Sequence, residues 1–214
     1  MEQSILFHFF GGVSQDGFNW MVDFDKVLFE LARWLSPIGI CLLAEGVCME
    51  KWRKIEPLSC CRYQTFNMWW RRKFFRSLLY GISAAAVLFA AAIAADLLSA
   101  VHFSGEVWKA FVLWFAHIMT IMSFFIVLDL TRFRKLAPAM LLMLEGVTFL
   151  AGFQSMRTAR FMCGMWGMYF QSSWYYSETG VSAFSSLMIE GILLGIVYLT
   201  GGFCLKRAKR DRQR

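Results

Sequence analysis

Residues 50–76, EKWRKIEPLSCCRYQTFNMWWRRKFFR, hold eight Lys or Arg between two long apolar runs, and no other feature limits the fold as strongly. Such a cluster must sit in water beside a membrane, and a basic group of this size in a short loop marks the cytoplasmic side. With 64–76 helical, Phe66, Trp70 and Phe74 recur at i, i+4, i+8 on one face while Met68, Arg71 and Arg72 turn elsewhere. The pattern predicts an interfacial helix that lies in lipid headgroups or docks on a cytosolic partner.

The apolar share of 58% in 214 residues leaves too little polar surface to coat a water-soluble globule. The expected class is therefore all-α: one polytopic transmembrane domain over 1–214 with about five transmembrane helices. Spans are expected at about 27–49, 75–101, 107–130, 136–153 and 183–203, each with the length needed to cross. Pro37 and Gly39 weaken the middle of the first. The Ala-rich centre of the second, with Gly81 and Ser83, suits close approach by another helix.

Charge fixes the orientation. Loops 50–76 and 131–135 and the tail after 203 carry 17 of the 22 Lys and Arg, including Arg132, Arg134 and Lys135 in the second loop. The N terminus is thus expected outside and the C terminus in the cytoplasm. Residues 1–26 are acidic and too short in apolar content to span. Residues 154–181, rich in Trp, Tyr, Met and Phe, are expected as an external aromatic cap with one or two helices half-immersed at the interface. The net charge of +7 is absorbed by these loops, which argues against nucleic acid as a partner. Membrane lipid is the expected one.

Five ionisable residues fall within the spans: Glu45, Asp96, His117, Glu145 and Glu190. Each costs about 2.5–3.5 kcal/mol at a helix centre, so each is a functional suspect. Glu45 and Asp96 lie near span ends and are expected to reach water in structural roles. His117 is expected as a packed or hydrogen-bonded histidine. Glu145 and Glu190 are deeper, and serve either as a polar tie between helices or in a conduit or proton-linked step. All three Glu precede Gly (Gly46, Gly146, Gly191), a weak recurrence in a chain with 16 glycines. Glu30 and Arg33 read as a local i,i+3 pair.

No catalytic residue, metal site or cofactor is expected. The chain lacks a phosphate-binding GxxxxGK[ST] loop, HExxH and GxSxG, and its six Cys form no CxxC pair. Energy-coupled transport by this chain would have to borrow a motor.

The run Arg62-Tyr63-Gln64-Thr65 leading to Trp69-Trp70-Arg71-Arg72-Lys73 between two spans, with Phe10-Gly11-Gly12 before the first, resembles small bacterial permeases of the ATP-binding-cassette exporter class. The resemblance covers most of the chain as architecture and rests on few residues. It implies a bacterial cytoplasmic-membrane protein, a homo- or heterodimer of permease subunits, and a cytosolic ATP-binding partner docked on a coupling helix at 56–74. Arg62, Tyr63, Phe66, Trp69, Trp70, Arg71, Arg72 and Lys73 would form that surface, 131–135 a second contact, and 154–181 an external helical cap. The substrate would be an amphiphilic peptide or lipid. The family has six spans with the N terminus inside, so a leading span would be absent or would lie upstream, with Gln3 to Phe10 its remainder. A non-transporting scaffold, sensor or immunity protein and a stand-alone ion-coupled carrier are the alternatives.

Overall fold

The computed structural model describes residues 4–13, 23–53, 65–99, 105–131 and 133–211. Eight α-helices cover most of them: α1 (Ile5–Phe10), α2 (Phe24–Arg53), α3 (Phe66–Leu98), α4 (Val107–Asp129), α5 (Ala137–Phe153), α6 (Met156–Ala159), α7 (Cys163–Trp166) and α8 (Ala183–Asp211). Short 3-10 turns sit at Arg134–Leu136 and Tyr169–Gln171. Five of these helices, α2, α3, α4, α5 and α8, are long and apolar enough to cross a membrane. Their order matches the expected spans.

α4 is the centre of the bundle. More than half of its apolar window is buried, against a third or less in the other four. It touches every other long helix. Leu113, Trp114, Ile118, Met122, Phe125 and Ile126 fill the interior around it. On the outside, Phe29, Leu43, Leu79, Val87, Met143, Phe184 and Leu199 are each well exposed, as a lipid-facing surface requires.

α3 departs from expectation. It begins at Phe66 rather than near 75 and continues unbroken for 33 residues, about 50 Å, which exceeds a bilayer core of about 30 Å. The Thr65 side chain caps it by accepting from the Met68 N–H, and the next glycine is Gly81. The amphipathic segment is therefore the foot of a span and not a separate interfacial helix. Its aromatic face is also spoken for. Trp70 and Phe74 are buried, and the Trp70 indole N–H donates to the Tyr198 carbonyl at 2.8 Å. Gly201 is needed there, since a Cβ would collide with the Trp70 ring.

At the opposite end, α1 is tied down by Asp96. Its carboxylate accepts from Ser4 Oγ and the Ile5 N–H, both at 2.6 Å, and from the Leu6 N–H at 3.1 Å. A carboxylate at a helix N-terminus meets unpaired N–H groups and the positive end of the helix dipole. Asp96 is 1% exposed, which corrects the expectation that it reaches water. Position in the span misled, because the chain folds α1 back over it.

The segment after α5 forms a folded cap of short turns packed on the bundle. α6 and α7 are single turns, and Met165, Met168, Tyr169 and Gln171 are buried in protein. The Phe170 N–H donates to the Gly11 carbonyl at 2.9 Å and Gln171 Nε2 donates to the Val13 carbonyl, so the N-terminal segment and the cap brace each other. Gly12 has φ +81°, and a Cβ there would also meet Met168. Arg33 completes the brace by donating to the Gly12 carbonyl at 3.2 Å and to His8 at 2.8 Å, besides its expected ion pair with Glu30. Burial, and then the Arg33 charge, hold His8 below its ordinary pKa, as suits a neutral ring accepting a hydrogen bond from Arg33.

Candidate functional site

Helix periodicity brings three of the five ionisable span residues to one place. His117 lies in the middle of α4, Glu145 in the middle of α5 and Glu190 two turns into α8. The imidazole bridges the carboxyls: Nδ1 is 2.9 Å from Glu190 Oε1 and Nε2 is 3.2 Å from Glu145 Oε2. The residues are 1%, 3% and 1% exposed, so all three are sealed from solvent. The tie between helices that the sequence suggested thus includes His117 as its middle member.

The wall around this chain is mostly apolar. Trp34 from α2 stacks on the His117 ring with centroids 6.1 Å apart and an interplanar angle of 29°. The cap closes the site at the end opposite the basic loops. A Cβ on Gly167 would lie 2.6 Å from His117 Cβ and Cγ, and one on Gly164 would lie 2.7 Å from the Glu145 carbonyl oxygen. The Gly164 N–H donates to Thr148 Oγ1 at 3.0 Å, which fixes α7 on α5 one turn from Glu145. Tyr169 continues the seal by donating to Glu106 Oε2 at 2.8 Å. Burial and the Glu106 bond hold the Tyr169 phenol above its ordinary pKa, while Lys109 and Tyr169 hold Glu106 below the usual carboxylate range.

The geometry defines the chemistry available. An imidazole with a carboxyl on each edge can take a proton at one nitrogen and give one up at the other, so this arrangement can pass a proton between the Glu145 and Glu190 sides, with the ring tautomer reversed and needing to be reset before the next. The same opposed placement works against a metal centre, because the two carboxyls face different nitrogens of one ring. Among the described residues, no three His, Cys, Asp or Glu side chains are grouped to hold an ion. Two polar atoms in this region, Glu190 Oε2 and Trp34 Nε1, are buried with no hydrogen-bond partner. Orphans of this kind are uncommon in packed interiors and suit a site whose occupancy changes.

The other two span residues lie apart from this chain. Asp96 serves α1, as described. Glu45 is 0% exposed near the basic end, which corrects the expectation that it reaches water. It lies within electrostatic reach of Asp129, itself 3.8 Å from the Lys73 ammonium. Lys73, expected on the partner-docking surface, is thus turned toward a carboxylate of its own chain. Both are largely buried here, a pairing that Lys73 and Asp129 on neighbouring spans at the same depth could have suggested.

Of the proposed docking residues, Arg71 and Arg72 are exposed on the foot of α3, and Arg134 and Lys135 are exposed at the same end of the bundle. Trp69 is half-buried with the Lys73 ammonium 5.2 Å from its ring centroid. Trp70 is inside the protein. The expected roles of Arg62, Tyr63 and Arg132, and that of the Phe66 side chain, fall outside the described residues.

No protein-family model matches the chain, and no curated protein or solved structure does. The molecule is thus defined by its own architecture: an all-helical chain with five helices suited to spanning a membrane, around a buried carboxyl–imidazole–carboxyl chain.

Proposed function

We propose that this protein is a multi-pass transport protein of a bacterial cytoplasmic membrane, and that a proton carried on Glu145, His117 and Glu190 is linked to its transport step. The basic loops face the cytoplasm in this reading, and the N-terminal segment and cap face outward. The observation that carries it is the meeting of three ionisable side chains from three spans, each more than nine-tenths buried and joined through both ring nitrogens. A tie needed only for packing would not require titratable groups at this cost. The test is proton movement into proteoliposomes that hold a pH-sensitive dye, with Glu145→Gln and Glu190→Gln compared against the parent chain. Each change removes one end of the relay and should abolish gradient-driven uptake.

A second reading is favoured by the exposed cations at one end. Arg71, Arg72, Arg134 and Lys135 offer a face for a cytosolic ATP-binding subunit, as in a permease of the ATP-binding-cassette exporter class moving an amphiphilic peptide or lipid from a dimer. Docking would then use these cations and not Trp70. Under this reading, Arg71→Ala with Arg72→Ala abolishes co-purification with a nucleotide-binding protein while leaving the fold intact. Retained association, or no such partner at any stage, counts against it.

A further inference from the structure

We propose that Glu45 is a second proton-binding site, set at the basic end of the bundle and separate from the Glu145–His117–Glu190 chain. Three mutually packed helices contribute polar groups toward this end of the bundle. α2 brings Glu45, and its neighbour Gly46 packs against Phe125 of α4. α4 brings Asp129 one turn further on. α3 brings Lys73, whose ammonium is 3.8 Å from Asp129 Oδ2, and one turn above it Ser77. The next turn of that face, Gly81, meets Met122 of α4, so Ser77 lies on the wall between α3 and α4.

What marks the place is a set of polar atoms left without partners. Both oxygens of Glu45 and the hydroxyl of Ser77 are buried, and none makes a hydrogen bond. Glu45 and Ser77 are each 0% exposed. An ionised Glu45 would be a dehydrated carboxylate with no donor, and its charged neighbour on α4 is another carboxylate. That is the costliest state for such a group. Carrying a proton removes the charge and leaves only a neutral acid to accommodate. The groups facing Glu45 are consistent with this. Asp129 from α4 acts on it, Lys73 from α3 is engaged by Asp129, Arg76 and Tyr80 from α3 are held by Trp52 of α2, and Cys41 on its own helix lies within electrostatic reach. Over its described length α5 carries one ionisable residue, Glu145, which is bonded to His117.

The position suits exchange. Glu50 and Lys51, on the last turns of α2, are already exposed, about 8–9 Å along the helix from Glu45. His117 is about 18 Å from Asp129 along α4, too far for direct transfer. The inner site therefore loads from the basic end without involving the outer chain. It does not depend on transport, because the claim concerns a proton on this residue whether or not the protein moves anything.

Infrared difference spectra of the purified chain in lipid nanodiscs, recorded across a pH titration, test it. A Glu145→Gln, Glu190→Gln background silences the outer chain. A protonated-carboxyl band should persist there, fade as pH rises, and vanish on adding Glu45→Gln. Lys73→Gln should move its midpoint upward by about one pH unit, since losing a nearby positive charge favours the neutral acid. If Glu45→Gln fails to fold, Glu45→Asp serves, and the band should change frequency. A band untouched by either Glu45 variant overturns the assignment. So does a band that sodium or potassium removes at constant pH, which would make this an alkali-cation site. Failure here leaves the dye-uptake result standing, and the reverse also holds.

Discussion

His117→Ala lowers the stability of the purified protein by about 3–5 kcal/mol, the usual cost of removing one partner from a buried ion pair or hydrogen-bonded charge. The reason lies in what remains. Glu145 and Glu190 stay buried at 3% and 1% exposure, and each loses its His117 partner, at 3.2 and 2.9 Å respectively. The void left beside Trp34 adds a cavity term in the same direction. Denaturant unfolding in detergent, followed by tryptophan fluorescence, reads the loss. A second variant separates charge from volume. Converting the whole chain to apolar residues, with His117→Phe, Glu145→Met and Glu190→Met, removes both carboxyls with the ring and restores most of the stability. Equal damage in the single and triple variants would mean that packing alone holds these positions.

Gly167→Val lifts the cap from the bundle. The Gly167 backbone, at φ −78°, suits any residue, so the obstacle is steric: its new Cβ would fall 2.6 Å from His117 Cβ and Cγ. Overpacking of this kind costs about 1–3 kcal/mol. Relief comes most easily by moving α7, which is one turn long and held by few bonds, and not α4, which is packed on all sides. Each 1.4 kcal/mol moves the opening equilibrium about tenfold. Cys163 reports it. Burial, and then the nearby Glu145, hold its thiol above the ordinary range, so it is slow to react while the cap is seated. Alkylation of Cys163 by a charged reagent, followed by peptide mass spectrometry, should accelerate about tenfold or more in Gly167→Val and less in Gly167→Ala. An unchanged rate would show that the cap does not close over His117.

Much of this architecture was legible because it follows from the length and composition of helices. Five apolar runs and the short apolar reach before Gly11 are local properties of the chain, whereas the start of α3 at Phe66 lies ahead of the expected span. The site was legible only as a set of suspects. His117, Glu145 and Glu190 stand far apart in sequence, and their meeting depends on how α4, α5 and α8 rotate against one another, which no single periodicity reveals. The Glu-Gly recurrence was no guide: Gly146 admits Leu31 and Leu35, Gly46 admits Phe125, and Gly191 faces open space. Asp96 and Glu45 were misjudged for one reason. Distance from a span end was equated with access to water, but α1 folds over Asp96 and neighbouring spans close around Glu45. Of the aromatic stripe that suggested a docking face, Trp70 and Phe74 pack against Tyr198 on α8, a partner within the chain itself.

The proton relay stands or falls on flux through paired variants. In sealed proteoliposomes under an imposed pH gradient, the parent chain should acidify the lumen, and Glu145→Gln, Glu190→Gln and the folded apolar triple variant should each be silent. Parent-level acidification by the triple variant would contradict the account, for no proton could then be travelling through those three side chains.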